Sequence, residues 1–442
     1  MATAECHTAK SAAVHTLLDL LGQRKTRRFG CGMELPAGPL RYRSTMPPIP
    51  LCQEEVHCLL YAGVGDTGRH LADMQYARRP GREDGQGMAI MNFQGRTVAS
   101  ACAANTTRLF MTDDEGVYFA ASVSHPDHGV APELITLQHR RLEIPRRAPY
   151  MLSFNQWYTN RPGSLYMIPV TEIARVYLNL LLVLLSEEFG YFIVDTDNGN
   201  TGCGLDRFKR SRGGHLHDDP TMNRVMTLRD LDTAISDTAL QEQGLVCQNL
   251  FLMSQAIGLG GGIQSVGSGR HLLGLEPQIY SGLGFSFMPS PVPGVRPNPV
   301  GLKNLWEGPC PPFVSSVEDA VLSLVESKFG VRGLYTNLTN RPWQSPEGPS
   351  QPPIAPHEQR TIEAVIQFCN YVYRTYGRFP AHVDAFKTVL AFQAHHLDMG
   401  FYDKFYPTES MPQTHRDHFT AWHQTHLEND TRNSILHEEV LS

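Results

Sequence analysis

The sequence predicts an α+β protein, and three observations carry that prediction. Arg108–Thr112 and Val117–Ala121 are largely apolar runs flanking Asp113-Asp114-Glu115-Gly116, the pattern of an antiparallel hairpin with glycine at its turn. Residues 171–188 and 227–257 instead carry apolar side chains at helical spacing. The chain has 442 residues, 41% hydrophobic and 19% charged, which is enough apolar material to bury a sizeable core.

The elements follow in order. A first helix is expected over 7–21, with Leu17, Leu18 and Leu21 at helical spacing and Gly22 as its stop. A basic turn, Arg24-Lys25-Thr26-Arg27-Arg28-Phe29, comes next, then an extended Gly/Pro-rich connection over 31–50. A second helix starts near Cys52. Glu54 and Glu55 lie in its first turn, where negative charge meets the positive end of the helix dipole, and Val56, Leu59 and Leu60 form its apolar stripe. Residues 63–87 read as a surface insertion and 88–93 as a short strand leading to the hairpin, whereas 124–165 show no clean period.

Val176–Leu185 is the most apolar stretch, about half the length a bilayer span needs. Arg175 and Glu187-Glu188 flank it, so it reads as a buried helix followed by a strand over 191–194. A long loop is expected over 195–220. The helical stretch 227–257, with Leu245, Asn249, Leu252 and Ala256 on one face, ends in Gly258-Leu259-Gly260-Gly261-Gly262. The proline-rich residues 283–313 would wrap a neighbouring subunit or cover a pocket. Residues 317–329 form an amphipathic helix, 341–356 a Pro-rich linker, and the chain from His357 onward is helical and rich in His and Tyr.

Composition narrows the function. A net charge of −6 offers no basic field for a nucleic acid backbone. Nine scattered cysteines without a C-x-x-C pair suit reduced thiols in a cytoplasmic protein better than disulfides. The first residues contain no apolar signal region, and no membrane partner is expected.

Three segments carry chemistry. Arg24-x-Thr26-x-Arg28 places two guanidinium forks and a hydroxyl on one short turn, donors suited to a phosphate. Ala103-Ala104-Asn105-Thr106-Thr107 combines small residues, which admit a flat ring, with an amide that both donates and accepts. Gln248-Asn249-Leu250 through Ile257-Gly258-Leu259-Gly260 is a helix running into a glycine-rich bend whose backbone N–H groups would meet a ring carbonyl or phosphate. Each segment also has a plain structural reading: an exposed basic turn, an Asn turn before a strand, and a glycine-capped core helix.

The order of these segments resembles the nitroreductase family over residues 15–30, 50–62, 98–123 and 225–285. That resemblance implies a central antiparallel sheet flanked by helices and an FMN-dependent oxidoreductase acting on a small organic substrate. It implies an intertwined homodimer, with NAD(P)H able to stack directly on the flavin as electron donor. Arg24, Thr26 and Arg28 would bind the FMN phosphate, Asn105 would face the isoalloxazine ring, and Gly260, Gly261 and Gly262 would lie near its pyrimidine side. Arg270 is the candidate for a further phosphate contact. No catalytic nucleophile is expected, since the flavin carries the redox chemistry. No G-x-G-x-x-G follows a strand, so a Rossmann domain is not indicated. The implied organisation is a flavin-binding domain over 1–340 with insertions at 63–97 and 124–224, the linker at 341–356, and a helical C-terminal extension over 357–442.

Two other readings compete. One is a His/Asp metal-dependent enzyme, built from His215-x-His217-Asp218-Asp219, His382-x-Asp384, His395-His396-x-Asp398 or the series His415, His418, His423, His426. The other is a non-catalytic flavin-binding protein, whose aromatic C-terminal segment around Tyr371–Phe379 and Phe401–Tyr406 would be a core or dimer face.

Overall fold

The structure, a computed structural model, describes residues 15–73, 88–337, 342 and 354–421. At its centre is an antiparallel sheet of seven strands: β1 (Thr107–Thr112), β2 (Val117–Ser122), β3 (Glu133–Gln138), β4 (Leu165–Glu172), β5 (Gly260–Ser265), β6 (Phe386–Lys387) and β7 (Leu390–His395). Across the sheet the order is β5-β7-β4-β1-β2-β3, with β6 pairing β4 beside β7. The main helices among the described residues are α1 (Leu17–Gly22), α2 (Gln53–Val64), α3 (Ile173–Leu184), α4 (Leu228–Ala256), α5 (Val317–Phe329), α6 (Gln359–Tyr376) and α7 (Met399–Phe405), with a short helical turn at Gly269–Leu273 and helical residues over 413–421.

The expected hairpin is β1–β2, registered Phe110↔Phe119 and Thr112↔Val117. Asp113 closes its turn by accepting from the N–H groups of Glu115 and Gly116. The single helix α4 starts at a Thr227 cap whose side chain accepts from Asp230 N. At 1.5 Å per residue it spans roughly 43 Å. Its C-terminal half buries Val246, Cys247, Leu250 and Phe251 against Met111, Met167, Phe392 and Leu59 of the sheet and α2. Its N-terminal half joins α3, α5 and α6 in a helical layer around Tyr177, Leu181, Val321 and Phe368.

Five expectations change. Residues 88–93 are not a strand, and the short strand lies at Gln94–Arg96, paired with Asp66–Arg69. Residues 124–224 are not only an insertion, because they supply β4, the strand that pairs with β1, β6 and β7. All eight β4 positions are buried, since both sheet faces are covered there, and the helical expectation over 171–188 begins instead at Ile173. The residues from 357 onward are not a helical extension, because β7 lies between β5 and β4. Residues 283–313 wrap their own chain: Ser286–Met288, Asn298–Leu302 and Trp306–Glu307 form a small antiparallel sheet. Its Val300 and Trp306, with neighbouring Phe285, pack over Phe110, Phe119 and Phe386. The linker 341–356 falls mostly outside the described residues.

Among the described residues none of the eight cysteines is in a disulfide, and no helix is long and apolar enough to cross a membrane.

Candidate functional site

Strand β5 is the sheet's edge, and the basic turn runs along its outside. Arg27 bridges to Gly261 in antiparallel fashion, the Gly261 N–H donating to the Arg27 carbonyl at 2.9 Å. An extended chain alternates its side chains, so Arg27 turns inward while Arg24, Thr26 and Arg28 stay exposed. Arg27, absent from the sequence-based candidates, is a structural arginine. It donates to the Ser410 carbonyl at 2.6 and 3.1 Å and to the Lys25 carbonyl at 3.1 Å.

Two segments more than two hundred residues apart therefore meet. Gly262 faces the outward residues: a Cβ there would stand 2.9 Å from Thr26 Cγ2 and 3.8 Å from Arg28 Nε. The Arg28 guanidinium lies 5.6 Å from the Tyr158 ring centroid and that of Arg24 5.2 Å from Phe251. Among the described residues neither arginine is paired with a carboxylate. Tyr158 and Gln264 are 1% and 6% exposed, yet the Tyr158 hydroxyl and Gln264 Nε2 have no hydrogen-bond partner there. Burial raises the Tyr158 hydroxyl pKa, against a weaker opposing pull from Arg28, so the group stays a neutral donor. Gln264 Oε1 accepts from Thr159 Oγ1 at 2.6 Å, which leaves its amide nitrogen to donate. The result is a cationic cradle of Arg24, Thr26 and Arg28 over Gly262, while the two unspent donors are enclosed in the interior.

The other sequence-derived residues lie elsewhere. Gly260 and Gly261 are close-packed rather than open, since added Cβ atoms would meet Leu397 at 2.2 Å and the Gln393 carbonyl at 2.4 Å. The glycine run is a paired strand, not a bend with free N–H groups. Asn105 donates to the Gln94 carbonyl and the Asn92 side chain. Gly262, Gln393, Tyr166 and Thr112 share one row across the sheet. Asn105 sits beyond the opposite end of β1, about 20 Å away by strand spacing, so one protomer does not bring it to the cradle. Arg270 is held by Asp384 at 2.6 and 2.7 Å and is not a phosphate contact here. Asn249 donates to the Ala62 and Thr97 carbonyls, a structural use of the amide.

The histidine groups separate as well. His217 lies between Arg210 and Arg224, both within 2.9 Å of its ring nitrogens. His215 is hydrogen-bonded to the Leu185 carbonyl, and Asp384 is occupied by Arg270 and Arg378. His423 and His426 lie outside the described residues. Two histidines from different groups do meet: His396 and His418 converge on Glu55, whose carboxylate is fully buried. Burial acts to raise that carboxyl, but the nearby His396 imidazole and the His418 hydrogen bond outweigh it and hold its pKa well below the usual range.

Fold and site thus define an α+β protein with a cationic cradle along the edge of an antiparallel sheet. No family profile and no curated protein matches the chain. One solved structure that it resembles is described as a "putative nitroreductase" from Ralstonia eutropha JMP134. That match has 15% identity and a TM-score of 0.26, covering 59% of this chain and 74% of the other, a distant likeness from which neither family nor activity follows.

Proposed function

We propose that the chain is an FMN-dependent oxidoreductase that works as a homodimer on a small organic substrate. The observation that carries this reading is the cradle itself: Arg24, Thr26 and Arg28 set against side-chain-free Gly262, with the Tyr158 ring beside Arg28. Two arginine forks without carboxylate partners suit a phosphate. At Gly262 the missing Cβ lets the Thr26 side chain lie against the strand, which holds the hydroxyl-bearing residue between the two arginines. Bound FMN would supply two-electron redox chemistry. The chain's own part is to hold the phosphate through Arg24, Thr26 and Arg28. Leu17, Leu18 and Leu21 on α1 are 61%, 79% and 48% exposed, an apolar stripe adjoining the basic turn. A second copy of the chain would cover it.

The test is the absorbance spectrum and molar mass of the purified chain. Wild type should carry flavin and run as a dimer. The Arg24→Ala/Arg28→Ala double variant should fold but lose at least ten-fold in flavin retention. A folded double variant with unchanged flavin content would reject this cradle.

A further inference from the structure

We propose that Glu55, His396 and His418 form a binding site for one divalent transition-metal ion of zinc type. The three come from unrelated parts of the chain: the first turn of α2, the residue after β7, and the helical residues 413–421. Their donor atoms all lie within 4.8 Å of one another. His418 Nε2 is 2.6 Å from Glu55 Oε1 and His396 Nε2 is 3.5 Å from Glu55 Oε2. The two imidazoles stack with centroids 4.9 Å apart and planes 29° from parallel, so both rings present an edge to one carboxylate.

Two imidazoles and a carboxylate are a recognised donor set for zinc, with a fourth position left to water or substrate. Zinc bonds of about 2.0–2.2 Å put neighbouring ligand atoms roughly 3.3 Å apart in a tetrahedral site. The two close contacts bracket that spacing, so movements of under about 1 Å at those contacts would suffice. The carboxylate is held in place from behind, because Glu55 Oε2 accepts from the Cys52 N–H at 2.8 Å. Such outer contacts fix ligand orientation in metal sites. The main chain at His396 is anchored too, its carbonyl accepting from the Cys31 N–H at 3.0 Å. Side-chain exposures of 0%, 4% and 11% for Glu55, His396 and His418 keep bulk water from competing for the ion. Among the described residues no lysine or arginine is paired with this buried carboxylate, and a dication would supply a permanent positive charge.

Metal binding here would tie three chain segments together and so add to folding stability. This inference is independent of the flavin reading. The experiment uses the untagged full chain, exposed to Zn²⁺, gel-filtered and analysed for metal, with thermal midpoints measured with and without Zn²⁺. Wild type should retain about one zinc per chain and melt higher with zinc. His396→Ala and His418→Ala should each lower zinc retention at least ten-fold, in line with lost ligands. Glu55→Gln keeps the side-chain shape and an oxygen for the Cys52 N–H, so it should fold yet lose the zinc-dependent rise. Arg24→Ala/Arg28→Ala should retain zinc whatever its flavin content. Folded wild type without zinc and without a thermal shift would overturn the site, as would a Glu55→Gln chain that binds zinc equally well.

Discussion

At the scale of single residues, two glycines in the same run do opposite work. Gly258 has φ +82°, and a Cβ there would stand 2.4 Å from His418 Cβ and 2.6 Å from the Thr414 carbonyl. Gly258→Ala should cost about 1–2 kcal/mol from the left-handed backbone alone, and more as residues 413–421 are pushed off the turn. Gly262 needs no positive φ, and its nearest neighbour is the methyl end of Thr26. Gly262→Ala should therefore displace the exposed Thr26 side chain and cost less stability than Gly258→Ala, while disturbing the cradle and lowering flavin retention. Midpoints and absorbance measured on both variants check this, and equal destabilisation by the two would contradict it. The sequence shows the run but not this division, because the two roles depend on which strand or helix packs over each glycine.

At the scale of elements, the cradle was legible in part. The alternation Arg24, Thr26, Arg28 is visible in the sequence, and so is the hairpin β1–β2. Strand β4 was not, because a strand buried on both faces shows no polar alternation, and Leu165–Glu172 runs directly into α3. Strand β7 was hidden for the same reason, five of its six residues being buried. Glu55 was read as a helix-dipole residue, and nothing local reveals that His396 and His418 fold onto it. Gln243 shows how strongly the elements depend on one another. It is fully buried on α4, donates to the Thr171 hydroxyl and the Lys387 carbonyl, and accepts from Val389 N and Leu390 N. One helix side chain thus satisfies the gap between β6 and β7. Gln243→Leu would strand those groups, each costing about 1–3 kcal/mol when buried unsatisfied. The expected loss is on the order of 3 kcal/mol or more, read from chemical denaturation. A loss under about 1 kcal/mol would mean that the gap is held by other contacts.

At the scale of the whole molecule, the buried thiols set an alkaline limit on stability. Burial pushes Cys31, Cys58, Cys247 and Cys310 up to about 12 from an ordinary 9.0, and raises Cys203 and Cys369 as well. In the unfolded chain these thiols ionise near their ordinary value, while in the folded chain they stay protonated. The folded state therefore binds more protons above pH 9, and stability present below that pH is lost as pH rises towards 12. Lys328 works the other way: burial lowers it to about 8, so its deprotonation in the fold favours folding as pH rises through 8 to 10. The Lys328 ammonium is held by the Met88 carbonyl and the Asn179 side chain, neither of them an anion, which explains the direction. One lysine is set against six thiols, each costing about 1.4 kcal/mol per pH unit once fully ionised in the unfolded chain. The net slope must turn negative above pH 9. Melting midpoints measured from pH 7 to 10.5 under reducing conditions should hold or rise slightly to about pH 8, decline by pH 9 and then fall steeply. A curve that stays flat to pH 10.5 would show that the thiols are not kept from ionising by the core described here.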